Sequence, residues 1–225
     1  MTTSKNRASG HAPLTRERVL RAAISHADTV GLEGLSMRGL AGVLKVAPMA
    51  LYRHVANRED LIDAMIDVVF GEVVLPSGGA DWKTAMRERG LSMRDVLTRH
   101  PWAIGLMESR RHPGQANLRH HDAVIGKLRS AGFDVAMVAH AYSLLDSYIY
   151  GFAMTQVRMA VETPADMTAM ANDMFEPFPL NEYPNLAEFV NDHVMAAGYQ
   201  YVDEYGYGLD RVLDAIERAW ADSGS

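Results

Sequence analysis

The chain has 225 residues, a formal net charge of −6 at neutral pH and no cysteine. That length suits one medium domain or two smaller ones, and the missing cysteines exclude a disulfide framework and a thiolate metal site. No apolar run reaches the roughly eighteen residues of a membrane span, and the polar start Met1-Thr2-Thr3-Ser4-Lys5 lacks a leader's apolar segment, so a cytoplasmic protein is expected.

Charge is divided unevenly along the chain. Residues 1–58 carry nine Lys/Arg against three Asp/Glu, and residues 59–225 carry thirteen against twenty-five. A basic head on an acidic body places any attraction for phosphate at the N-terminal end. Residues 1–14 read as a flexible arm with Lys5, Arg7 and His11. Thr15 is placed to cap the first helix, whose apolar stripe is Val19, Ala22, Ala23, Ile24 and Ala27, and Gly31 ends it.

A second helix follows, capped by Ser36, with Met37, Leu40, Ala41 and Leu44 inward. Lys45-Val46-Ala47-Pro48 is a turn, and Pro48 suits the first position of a third helix. Leu51 and Val55 face the core, while Ala47, Met49, Ala50, Arg53 and His54 point outward. Two short helices joined in this way form a helix-turn-helix, whose second helix can enter a DNA major groove. Arg38 can reach a guanine edge or a phosphate, and Arg53 is the candidate for a bidentate base contact. Met49 and Ala50 offer only apolar contacts, such as to a thymine methyl. A fourth helix runs from Arg58 to about Val74, with Leu61, Ile62, Met65, Ile66 and Val69 inward.

The pieces Arg18-Val19-Leu20-Arg21-Ala22-Ala23, Val30-Gly31-Leu32-Glu33-Gly34-Leu35-Ser36-Met37-Arg38, Leu44-Lys45-Val46, Ala50-Leu51-Tyr52-Arg53-His54-Val55 and Asn57-Arg58-Glu59-Asp60-Leu61 stand in a telling order. Together they resemble the N-terminal domain of the TetR family of bacterial transcriptional repressors. The resemblance implies that Pro48, Met49 and Ala50 face base edges and that Tyr52, His54 and Arg58 meet backbone phosphates. For Tyr52 a partly buried core position is the alternative. Lys45 stands where the family often has glycine; in a left-handed conformation lysine carries a small strain cost. The implied fold is all-α, with a DNA-binding domain at 15–70 and a larger ligand-binding and dimerisation domain at 71–225.

Helical periodicity continues through the second half. Pro76-Ser77-Gly78-Gly79-Ala80 reads as a loop, followed by helices at Trp82–His100, Asn117–Ala131 and Asp134–Val161, the last closed by Pro164. A short methionine-rich helix spans Asp166–Phe175, a stiff loop holds Pro177-Phe178-Pro179, and Leu186–Tyr205 reads as a long helix with Phe189, Val190, Val194, Ala197 and Tyr201 inward. Gly206 and Gly208 are expected to interrupt it before a last helix, Asp210–Ala221.

The resemblance implies a homodimer through the two long helices, reading a palindromic double-stranded operator, and a small-molecule effector in the C-terminal domain. A pocket there would be lined by Met93, Trp102, Met107, Tyr142, Leu145 and Met154, with Arg110, Asp146, Ser147 and Thr155 as polar handles. Such a lining suits an apolar or aromatic molecule. His120 and His121 are adjacent, so they diverge by about 100° on a helix and make a poor chelating pair; they are expected at the surface. With no phosphate loop, nucleophile elbow or metalloprotease motif, no catalytic residue, cofactor or metal is expected. The competing reading is a small-molecule carrier or enzyme with a vestigial DNA head.

Overall fold

The computed structural model describes residues 13–76, 79–107, 109, 112–159, 163–175 and 180–223, and among them every regular element is helical. They form two compact units that divide between Met65 and Ile66. Lys5, Arg7, His11, Arg110 and the Pro177-Phe178-Pro179 loop lie outside the described residues.

In the first unit, α1 (Arg16–Gly34) begins where Thr15 Oγ1 accepts from the Arg18 N–H at 3.2 Å, the expected cap. Val19, Leu20, Ala23, Ile24 and Ala27 are buried, and Gly31, at φ 73°, takes the chain off the helical path. The second helix, α2 (Met37–Leu44), starts on Ser36, whose Oγ accepts from the Gly39 N–H at 3.0 Å. It ends on Lys45 at φ 56° and ψ 44°, and the Val46 N–H returns to the Ala41 carbonyl at 3.0 Å. Glycine normally supplies this left-handed closure. Lys45→Gly is therefore expected to stabilise the fold by about 0.5–1 kcal/mol, because the relieved Cβ strain exceeds glycine's entropic cost. Thermal unfolding would show this as a rise of a few degrees.

Next, α3 (Pro48–Leu51) has its proline in the first turn, where a missing N–H costs nothing. The fourth helix, α4 (Arg58–Phe70), crosses the division between the units. It stops at Phe70 rather than Val74. Gly71 opens a turn there, and Glu72 meets Arg99 at 2.6 Å and His100 at 3.3 Å.

The second unit contains α5 (Trp82–Arg99), α6 (Gln115–Ser130), α7 (Val135–Met159), α8 (Pro164–Phe175), α9 (Pro184–Phe189) and α10 (Asp203–Ser223). Helices α5, α7 and α10 pack on one another, and α6 lies against α5 and α7. Asp81 caps α5 by accepting from the Lys83 and Thr84 N–H groups, each at 3.0 Å. Lys83 then reaches Asp214 at 2.7 Å and Glu217 at 2.6 Å on α10, and Arg87 reaches Asp210 at 2.7 Å. Phe133 stacks on Trp220, ring centroids 4.6 Å apart, and meets Trp82 edge-on at 4.9 Å. Asp67 Oδ1 accepts from the Ala116 and Asn117 N–H groups at 2.8 and 3.0 Å, so a side chain of α4 closes the first turn of α6. A Cβ on Gly114 would fall 2.1 Å from the Asp67 carboxyl carbon.

The C-terminal helices depart from expectation. Pro164 opens α8, the position a helix's first turn accommodates. The long helix expected over Leu186–Tyr205 does not exist. Instead α9 ends at Phe189, a π-helical turn covers Val190–Val194, and Gly198, at φ 85°, turns the chain before α10. Phe189 is 55% exposed rather than inward. Gly206 and Gly208 lie inside α10 without breaking it. Gly208 owes its place to packing: a Cβ there would fall 2.2 Å from the Tyr148 hydroxyl and 2.6 Å from its ring carbon. That hydroxyl donates to the Tyr205 carbonyl at 2.9 Å, and the buried Tyr205 hydroxyl donates to the Gly90 carbonyl at 2.6 Å. Local propensity yields to a close helix–helix approach. No described helix is long and apolar enough to cross a membrane.

Candidate functional site

On the first unit, the turn from α2 into α3 keeps one face open to solvent. Met49 is 72% exposed, Pro48, Arg38 and Arg53 are exposed, and Ala50 and His54 are partly so. Tyr52 is 43% exposed. Beneath them Leu51 and Val55 are buried and fix the short helix to the core. Among the described residues the Arg38 and Arg53 guanidinium groups make no ion pair or hydrogen bond, so both charges face solvent. Arg16 donates to the His54 carbonyl and holds the exit of the turn.

Arg58 is differently placed. Its Nε donates to the Leu35 carbonyl at 3.1 Å and its Nη2 to the Leu32 carbonyl at 2.9 Å. These bonds satisfy acceptors at the end of α1 with a cation, the sign a helix C-terminus favours. Much of this arginine's hydrogen-bonding capacity therefore holds α4 against α1.

The second unit contains a polar cluster in its interior. Arg89, on α5, is 1% exposed; its Nη2 meets Asp146 Oδ1 at 2.7 Å, and its Nε donates to His120 Nε2 at 2.9 Å. The guanidinium lies over the Tyr142 ring, 5.3 Å from its centroid. The Tyr142 hydroxyl meets His121 Nδ1, and Phe70 packs near both histidines. Burial, followed by the Arg89 charge and His121, pushes the His120 imidazole down to about 3 and keeps it neutral. Because Nε2 accepts from Arg89, the ring proton resides on Nδ1. Neither that Nδ1 nor Arg89 Nη1 has a hydrogen-bond partner among the described residues.

His120 is fully buried, contrary to its expected surface position. A signal for it was present: Asn117, His120, Val124 and Leu128 follow helical spacing and form the buried stripe of α6. Arg89 likewise sits between Met86 and Met93 on the buried stripe of α5, a charge where periodicity demands an apolar residue.

The expected effector residues separate into two groups. Met93, Met107 and Leu145 are buried, and Tyr142, Asp146 and Trp102 are partly buried. On α7, Tyr142, Leu145 and Asp146 share the side that carries the polar cluster. Ser147, Met154 and Thr155 lie on the exposed side of the same helix, so they do not join that group. Asp146, expected as a ligand handle, is engaged by Arg89.

Residues 75–219 match the family model described as the tetracyclin repressor-like C-terminal domain. The HTH-type transcriptional repressor DrrR1 of Streptomyces coeruleorubidus is 31% identical over 213 residues, covering 91% of this chain and 77% of that one. Apo ActR from Streptomyces coelicolor superposes with a TM-score of 0.74 at 25% identity, covering 95% of this chain and 100% of that structure. ActR in complex with actinorhodin gives 0.72 at 25% identity, covering 92% and 99%.

Proposed function

The chain belongs to the TetR family of transcriptional regulators, and from that membership we propose that its first unit reads a palindromic operator while its second releases the DNA on binding a small apolar or aromatic effector. Binding to DNA and to small molecules as dimers is the family's common character. The operator symmetry, the effector chemistry and the residues below belong to the proposal, as does a cytoplasmic site of action.

The observation that carries it is the open face of α2 and α3, where unpaired Arg38 and Arg53 flank exposed Met49 and Tyr52 above buried Leu51 and Val55. Arg53 contributes a bidentate contact to a base edge; Met49 and Ala50 meet a thymine methyl; Tyr52, His54 and Arg38 hold phosphates. Arg58 acts chiefly by fixing α4 to α1, its phosphate contact being confined to the remaining guanidinium edge.

Dimerisation uses the outer face of α7, where Ala139, Ser143, Leu144, Ser147, Gly151 and Met154 are exposed, together with α10. Small residues on a long helix allow close approach of a second copy. In the apo dimer the recognition helices stand about one DNA turn apart, roughly 34–36 Å. The effector favours another spacing, and its differential affinity for the two forms drives release. The structure of ActR with actinorhodin supports a small molecule as the ligand of this kind of domain.

Arg53→Ala tests the reading. Affinity for a duplex selected from random sequences is expected to fall by about 1–3 kcal/mol, with little change on unselected duplex. Equal losses on both, in a fluorescence anisotropy titration at fixed salt, contradict base reading.

A further inference from the structure

The turn that joins α2 to α3 is closed by a residue whose backbone conformation is costly for any side chain. Lys45, at φ 56° and ψ 44°, is the one residue other than glycine with a positive φ among those described. Such an outlier persists where something other than local stability retains it. A cation at a helix C-terminus suits the helix dipole, but that benefit belongs to stability, and Lys45→Gly is expected to raise stability. What glycine lacks is the ammonium. Lys45 is exposed, and among the described residues its ammonium makes no ion pair or hydrogen bond.

We propose that Lys45 binds a DNA backbone phosphate and completes the reading face at the end of α2 opposite Arg38. This rests on reading the first unit as the DNA-binding unit. Arg38 stands at the start of α2 and Lys45 just past its end. Seven residues of helical rise set them about 10 Å apart, close to the width of about 12 Å that a major groove presents. When the second helix of such a pair enters the groove, the first crosses the backbone. Helix α2 then carries a cation toward each rim, Arg38 at one strand and Lys45 at the other. Ala47, Pro48 and Met49, the residues that lead from Lys45 into α3, are exposed as well, so the open face continues through the turn. A lysine is a point charge on a flexible stem; it adds affinity and fixes register without reading sequence.

Anisotropy titrations of the full chain over a salt series test this, on a duplex selected from random sequences and on an unselected one. Lys45→Gly is expected to weaken binding to both by about three- to tenfold for each subunit bound, and to lower the slope of log affinity against log salt by about one per subunit. Lys45→Asn, whose side chain tolerates the left-handed region, should show the same loss, which separates the charge from glycine's chain freedom. Lys45→Arg should keep affinity within about twofold. A thermal midpoint of Lys45→Gly at or above that of the unaltered chain, alongside its weaker binding, shows that the loss is one of contact and not of folding. Unchanged affinity and slope in Lys45→Gly, a loss confined to the selected duplex, or an equal loss in Lys45→Arg overturns the phosphate contact and leaves the reading unit in place. Failure of the unaltered chain to bind either duplex overturns the reading unit itself.

Discussion

Arg89→Met is expected to lower folding stability by about 3–5 kcal/mol, and Arg89→Met combined with Asp146→Leu to recover most of that loss. The cation is 1% exposed and its partner carboxylate side chain 13% exposed. Removing Arg89 alone takes its guanidinium from the largely buried Asp146, and also takes the donor from His120 Nε2. Removing both charges substitutes apolar volume for a pair whose desolvation offsets much of its attraction. Urea unfolding followed by circular dichroism checks it. If the single variant is as stable as the double, the pair carries no buried charge and the cluster has been misread.

Gly208→Ala is expected to destabilise by about 1–3 kcal/mol, against a helix propensity that alone favours alanine by about 1 kcal/mol. The reason is the Tyr148 ring, which occupies the space a methyl group would need. Either α7 and α10 separate or Tyr148 leaves its rotamer and loses the Tyr205 carbonyl. Gly126→Ala, on α6 with open space around it, is the control and should gain stability. Opposite signs in the two thermal midpoints distinguish close packing from propensity; a gain in both would show that the helices give way freely.

These two sites also mark where reading the sequence stops. The DNA-binding unit was legible because its determinants are local: Thr15 and Ser36 cap within three residues, Lys45 closes α2 in the left-handed region, and Pro48 starts α3. Each acts over one turn of chain, so spacing alone exposes it. Gly208 reads as a breaker because sixty residues of chain separate it from Tyr148, and only the folded partner explains why a helix tolerates it there. The same blindness affected Leu186–Tyr205, where an apolar period survived a π-helical turn and the break at Gly198. The divergence of adjacent histidines on a helix shows only that the two make a poor chelating pair; the α6 stripe is what places His120 in the interior. Ser147 and Met154 do not join Tyr142 at the polar cluster, because a helix turns about 100° per residue and distributes such neighbours over different faces.

Asp67 makes the last turn of α4 and the first turn of α6 one mechanical piece. A carboxylate that accepts from two successive backbone N–H groups, with only a glycine's clearance beside it, resists both sliding and rotation of one helix against the other. Any unwinding at the start of α6 therefore arrives at α4 as a pull on a single side chain. The stiffness of that lever is set by one carboxylate, and shortening or neutralising it would slacken the joint without touching either helix's own backbone ladder.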